Sequence, residues 1–302
     1  MEHQIPLNPE ARAGRPEQDE IRDDGTHEVT PDLAYKRLAI VNVVFYGTPG
    51  AGDRAWMLID AGVMGTKGLI ARATEERFGK DARPAAIVMT HGHFDHVGAL
   101  EDLAERWDAP VYAHDLEFPY LDGRAAYPPA DPTVGGGLMS ALSRFYPRGP
   151  VNVGRRLQTL PADGSVPPMP SWRWMHTPGH TPGHVSLWRE SDRTLITGDA
   201  FITTRQESAY AALTQEPEMH GPPMYYTQNF QDARASVERL AALEPEIAVP
   251  FHGRAMRGAE MRAALHALAR DFDRVAVPEH GRYVEAPARA SDGTAYVPVD
   301  KA

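Results

Sequence analysis

Apolar positions recur with two different periods along the chain, and the alternation between them lays out its elements. From Leu33 to Tyr46 the run LAYKRLAIVNVVFY is dense in β-branched and aromatic residues; the turn cluster TPGAGD follows and Trp56 to Asp60 resumes as a second strand, which predicts a hairpin. Gly65 to Gly79 carries Leu69, Ile70, Ala73 and Phe78 near helical spacing, and it leads into the apolar run Ala85 to Thr90, the mark of a buried strand. A second helix is predicted over Ala99 to Trp107, then a short strand over Val111 to His114. Strands at Leu157 to Leu160, Trp172 to Met175, His184 to Trp188, Thr194 to Thr197 and Ile247 to Pro250 repeat that grammar. An amphipathic helix over Phe230 to Leu243 and a further helix over Met256 to Phe272 accompany them. Two α/β halves are expected over residues 31–277, with their sheets packed together and helices outside.

Three stretches lack a period. Residues 1–30 are polar and rich in Pro and Gly and predict an extended arm over the surface, whose removal up to residue 25 is expected to spare activity. Residues 115–150, with three consecutive glycines and several prolines, predict a lid or binding loop. Residues 278–302 read as a Pro-rich tail.

Composition narrows the function classes. Of 302 residues 42% are hydrophobic and 24% charged, ordinary values for a folded globular chain. The net charge of −10 repels phosphate backbones, so no nucleic-acid partner is expected. The longest greasy stretch, Leu38 to Tyr46, is too short to cross a bilayer, and Met1 through Arg22 has no apolar core of the secretory kind. No membrane association is expected, and a cytoplasmic location is the default. Cysteine is absent, so any metal must rest on nitrogen and oxygen ligands.

Such ligands are concentrated in one place. His91-Gly92-His93-Phe94-Asp95-His96 follows the strand ending at Thr90, and imidazoles and a carboxylate on a tight strand-to-helix turn are good donors for zinc and similar divalent ions. One turn supplies too few ligands for two closed sites, so further donors are expected at later strand ends. They occur as His176, His180 and His184 in HTPGHTPGH, as Asp199 after the strand TLIT, and as His252 after the strand ending at Pro250. Each stands where a strand gives way to a loop, the edge at which α/β folds collect their sites.

Taken in order, THGHFDH (Thr90 to His96), TPGHT (Thr177 to Thr181), GDA (Gly198 to Ala200), His252-Gly253 and the earlier LIDAG (Leu58 to Gly62) resemble the metallo-β-lactamase-fold hydrolases over roughly residues 33–272. The resemblance implies an αββα sandwich of two mixed β-sheets flanked by helices. It implies one metal on His91, His93 and His180, a second on Asp95, His96 and His252, and Asp199 as the bridge. Asp60 would orient the site from behind, and His114, His176 and His184 are read as structural or supporting.

The implied chemistry is hydrolysis of a small ester, lactone or thioester by a metal-bridging hydroxide, with Asp95 and Asp199 as the catalytic carboxylates and Asp199 shuttling the proton. Two divalent ions are the expected cofactors, zinc first, iron or manganese as alternatives. The expected partner is a small-molecule substrate, and a homodimer is compatible with the sequence. Aromatics at Phe118, Tyr120, Tyr127, Phe145, Tyr146, Tyr225 and Tyr226 would favour a substrate with an apolar or acyl portion.

Comparison within the resemblance orders the branches. The antibiotic-degrading β-lactamases typically lack an aspartate at the position of Asp199, which disfavours that activity. Acyl-homoserine lactonases and glyoxalase II-like thioesterases keep it. The lactonases usually place a tyrosine three residues later, where this chain has Ile202, so Tyr225 or Tyr226 would have to substitute. The alternative from another class is a mononuclear iron enzyme resembling persulfide dioxygenases.

Overall fold

The computed structural model describes residues 5–11 and 25–299, which fall into two compact units. One comprises residues 25–126, 149–170 and 298–299 and is built on a seven-stranded sheet. The other comprises residues 5–11, 127–148 and 171–297 and is built on a five-stranded sheet.

The first described segment holds the short strand β1 (Ile5–Pro6), which belongs to the five-stranded unit and is taken up there. In the seven-stranded unit, β2 (His27–Thr30), β3 (Leu33–Leu38), β4 (Val41–Tyr46) and β5 (Met57–Ile59) pair antiparallel in succession. Helix α1 (Lys67–Phe78) crosses to β6 (Ala86–Val88), which lies parallel to β5. Helices α2 (Phe94–Val97) and α3 (Leu100–Trp107) lead to β7 (Val111–Ala113), parallel to β6. After α4 (Phe118–Leu121) and β8 (Ala125–Ala126), β9 (Leu157–Thr159) closes the sheet parallel to β7. The parallel strands β5 and β6 are wholly buried, as their unbroken apolar sequences require. Helix α3 buries Leu100, Leu103, Ala104 and Trp107, a one-face 3.6-residue pattern. Trp56 stacks on Phe78 of α1 at 4.5 Å between ring centroids and meets Trp107 of α3 edge-on at 5.5 Å.

In the five-stranded unit, α5 (Leu138–Leu142) precedes β10 (Arg173–His176), β11 (Val185–Arg189) and β12 (Thr194–Gly198), a meander. Helix α6 (Ala209–Thr214), the short strand β13 (Glu218–Met219) and helix α7 (Phe230–Ala241) then lead to β14 (Ile247–Pro250), which lies parallel to β12. The strand β15 (Met256–Arg257) pairs antiparallel with β14 and runs into α8 (Gly258–Arg270), α9 (Phe272–Val275) and α10 (Arg282–Glu285). A core of Leu195, Phe201, Val237, Leu240, Met256, Met261, Leu265, Leu268 and Phe272 joins sheet and helices.

The stretch Leu33 to Tyr46, expected as one strand, is itself a hairpin, with Leu33 opposite Tyr46 and Leu38 opposite Val41. Its turn uses Ala39 at φ 58°, without the Gly or Asn that announces such turns in a sequence. Much of the expected arm 1–30 falls on residues 1–4 and 12–24, outside the described residues. Where it is described it has defined structure: β1 pairs with β13, Leu7 and Ala11 are buried in the core of the five-stranded unit, and His27 to Thr30 form β2. Within the expected tail, α10 buries Tyr283, whose ring packs with Phe230 and Ala288. The expected lid divides, residues 127–148 grouping with the five-stranded unit and its flanks with the other.

Candidate metal centre

In the seven-stranded unit the donors are arranged around Asp60. The ladder of β5 against β6 ends at Ile59 opposite Val88, and Asp60 follows at φ 56°, fully buried. Its Oδ1 accepts the Thr90 backbone N–H at 2.7 Å, and its Oδ2 accepts the Thr90 hydroxyl at 2.5 Å and His96 Nδ1–H at 2.7 Å. Burial pushes the Asp60 carboxyl up, opposed by the bonds from His96 and Thr90. Because the Thr90 hydroxyl gives its proton to Asp60, its oxygen can only accept from His91 Nδ1, 3.1 Å away. Both imidazoles therefore carry hydrogen on Nδ1 and present Nε2 as the lone pair, the condition for metal ligation.

The turn that follows is tightly held. Gly92 donates its N–H to Oε2 of the buried Glu117 at 3.0 Å, and His93 stands in extended conformation at the start of α2, which places Asp95 in the first helical turn. The ring centroids of His91 and His93 are 4.7 Å apart and those of His91 and His96 4.0 Å, while His96 Nε2 lies 3.9 Å from Asp95 Oδ1. All four side chains are buried. Asp60, His91 and His96 also bring one potential ligand atom each within 4.8 Å of the others, but the oxygens of Asp60 are engaged with Thr90 and His96, so Asp60 holds these two side chains in place.

The five-stranded unit gathers a second set of donors. The parallel neighbours β12 and β14 end side by side at Gly198 and Pro250, and Asp199 and His252 lie just beyond these two ends. The loop from β10 to β11 carries His180. Oδ2 of Asp199 stands 3.4 Å from His180 Nε2 and 3.1 Å from His252 Nε2, all three side chains being almost fully buried. Thr227 fixes the His180 tautomer: its hydroxyl donates to the Pro223 carbonyl at 2.8 Å, leaving its oxygen to accept from His180 Nδ1 at 3.3 Å. A buried carboxylate between two imidazole nitrogens is the donor set of a hard or borderline divalent cation.

The three other histidines singled out in the sequence are engaged elsewhere. His114 Nδ1 accepts the Leu116 N–H at 3.2 Å, capping a short helical turn. His176 Nε2 donates to the Pro182 carbonyl at 2.8 Å, and His184 is bonded through both ring nitrogens. Glu117 and Thr227 escaped the sequence reading because each acts on a motif residue 25 or 47 positions away and neither has a local signature. Of the aromatics, Tyr146, Tyr225 and Tyr226 cluster at 5.1 to 6.4 Å between centroids; Tyr120 and Tyr127 are core residues, and Phe145 is 70% exposed.

A sequence model of the metallo-beta-lactamase superfamily matches residues 37–252, spanning both sets of donors. The chain belongs to the metallo-β-lactamase superfamily. It is 44% identical over 238 residues to "Probable metallo-hydrolase YflN" of Bacillus subtilis (strain 168), covering 79% of this chain and 90% of that one. In fold it is similar to a beta-lactamase domain protein from Burkholderia ambifaria, with a TM-score of 0.58 at 20% identity over 85% of this chain and 80% of the other. It is also similar to a metallo-beta-lactamase family protein from Thermus thermophilus, with a TM-score of 0.53 at 20% identity over 82% of this chain and 81% of the other. The α/β class with two mixed sheets is that of the superfamily, and the His and Asp donors lie at its strand ends. Among the described residues no helix is long and apolar enough to cross a membrane.

Proposed function

We propose that this chain is a metal-dependent hydrolase of a small ester, lactone or thioester, and that both sets of donors serve one dinuclear centre. The observation that carries the reading is the fixed tautomer of His91, His96 and His180, each with Nδ1–H bonded to protein and Nε2 offered as a ligand beside buried carboxylates. His91, His93 and His180 would hold one ion, Asp95, His96 and His252 the other, and Asp199 both. Zinc suits an all-nitrogen-and-oxygen set, with manganese or iron as alternatives. Bound divalent ions supply Lewis-acid activation of water and of the scissile carbonyl.

The protein's own groups do the rest. Asp60 and Thr227 keep their histidines from rotating or changing tautomer, and Glu117 pins the turn between His91 and His93. The Asp199 carboxylate takes the proton released by water and passes it to the leaving group. Tyr225 and Tyr226, directly before Thr227, place aromatic surface close in sequence to the residue that holds His180, which favours a substrate with an apolar acyl or aryl portion.

Metal analysis of the purified protein, with a panel of lactones, thioesters and aryl esters assayed in its zinc, manganese and iron forms, tests the reading. Two equivalents of metal per chain are expected, with at least one ester class turned over, abolished by chelation and restored by metal. A single iron with oxygen uptake on a persulfide would instead select the mononuclear oxygenase class. Asp199→Asn should lower turnover by about two to four orders of magnitude, the range for loss of a proton-transfer group, in a protein that still folds. Unchanged turnover would remove Asp199 from the chemistry.

A further inference from the structure

The third histidine of HTPGHTPGH has no place among the proposed ligands, yet both of its ring nitrogens are engaged by the protein. The ladder of β11 against β12 runs from Arg189 opposite Thr194 to Leu187 opposite Ile196. Beyond it the register of β12 against β14 shifts, and Gly198 turns left-handed at φ 57°. The amide of Asp199 is thereby carried out of the ladder into the buried interior, where it needs an acceptor that no strand supplies. His184 supplies it: the Asp199 N–H donates to His184 Nε2 at 2.8 Å.

An Nε2 that accepts must be bare, so the ring's hydrogen is on Nδ1, and the surroundings enforce this. Nδ1 lies 2.8 Å from the Thr177 hydroxyl oxygen and 3.1 Å from the Thr177 carbonyl, which can only accept. The backbone closes the same loop, the Thr177 N–H donating to the His184 carbonyl at 2.9 Å. The network continues from Thr177 Oγ1 to Ser186 Oγ at 3.0 Å, and from Ser186 Oγ to the Thr197 carbonyl at 2.8 Å. It thus begins at the peptide of Asp199 and returns to the strand two residues before it, and all of its side chains are buried.

Gly198 makes room for the ring. A Cβ at that position would lie 2.3 Å from His184 Nε2 and 2.7 Å from Cε1, closer than atoms can approach. The sequence pairs a side chain that must reach the Asp199 amide with a neighbour that has no side chain to obstruct it.

We propose that His184 is a positioning residue: it fixes the peptide plane of Asp199, and so the direction in which the carboxylate leaves the backbone toward His180 and His252. Its action on metal rests on the hydrolase reading above; its action on the backbone does not. A Gln at position 184 can set its amide oxygen near where Nε2 stands and accept from Asp199, an Asn is too short to do so, and an Ala offers nothing.

Four full-length variants, His184→Ala, His184→Asn, His184→Gln and Gly198→Ala, are compared with wild type. Hydrogen exchange at the Asp199 amide is measured in the metal-free protein, and metal affinity by chelator competition together with the visible spectrum of the cobalt form. Exchange should accelerate at least about tenfold in the Ala, Asn and Gly198→Ala proteins and stay near wild type in His184→Gln. Metal affinity should fall about 10- to 100-fold in the same three, the range for loss of a group that orients a ligand, with an altered cobalt spectrum, and recover in His184→Gln. Equal exchange in His184→Asn and His184→Gln, both polar and foldable, would overturn the role. If wild type holds no metal, the hydrolase reading fails, and the amide exchange still decides the role of His184.

Discussion

Asp60 occupies a left-handed backbone at the end of β5 and holds three hydrogen bonds on one buried carboxylate, so its replacement separates charge from shape. Asp60→Asn keeps the volume but converts one acceptor into a donor, leaving Thr90 and His96 to compete for a single oxygen. Metal affinity in chelator competition should drop by about 10- to 100-fold with the circular dichroism spectrum unchanged. Gly98 is a different kind of constraint. Its φ is −60°, open to any residue, yet a Cβ there would lie 2.1 Å from the Met64 backbone nitrogen and 2.2 Å from the Val63 carbonyl carbon. Backbone on the far side cannot yield, and Gly98→Ala should cost about 3 kcal/mol in urea unfolding. The sequence shows Gly98 only as a glycine two positions past the motif that ends at His96; that the chain of residues 62–64 lies against it is a tertiary fact with no local trace. The clustered histidines stand out in the sequence because the side chains that suit a divalent cation are few, whereas Glu117 and Thr227 make contacts that several residue types can make.

At the scale of elements, legibility follows a clean burial pattern. Helices α3 and α7 bury one mostly apolar face and the strand β14 is buried throughout, and they lie within two residues of their expected spans. The span Met256 to Phe272, expected as one helix, opens instead with β15, because Ala248 and Ile247 of β14 draw Met256 and Arg257 into the sheet before Gly258 frees the backbone to turn. Helix α7 begins at Asn229, whose side chain accepts the N–H groups of Gln231 and Asp232 at 3.1 and 3.2 Å, and whose own N–H donates to the Gly179 carbonyl. Asn229→Ala should therefore cost about 1 kcal/mol in chemical denaturation. In the β3–β4 hairpin the left-handed Ala39 is strained, and Ala39→Gly should raise stability by about 0.5 kcal/mol, the relief of the Cβ exceeding the added chain entropy. A loss on that change would show that the turn relaxes without it.

Over the whole molecule, acid should weaken the fold through two groups of opposite charge type. Asp131 accepts from the hydroxyl and the amide of Thr133 and from the amide of Arg282; burial raises its carboxyl, but these bonds outweigh it and hold it below the ordinary range. Its contribution is present above about pH 4 and is lost as pH falls through the lowered value. Burial, by contrast, is what lowers His176, which stabilises the fold as the neutral ring above about pH 6.5 and opposes it on acidification. Asp131→Asn should be less stable than wild type at pH 7, with the gap narrowing toward pH 3; a gap that persists at pH 3 would assign the effect to packing. Family and fold class were legible from motifs spaced over some two hundred residues, but substrate was not, since loops of weak pattern would shape it. The seating of residues 5–11 was equally hidden, because Ile5, Leu7 and Ala11 are too few to show a period. It revises what trimming the N-terminus should do. Without that segment, β13 loses its partner and the side of α8 that carries Met261, Leu265 and Leu268 loses cover. A chain shortened past Ala11 should bind a hydrophobic dye, clump on concentration and resist purification even if its chemistry is intact, and cutting after the same point with a protease should have the same consequence.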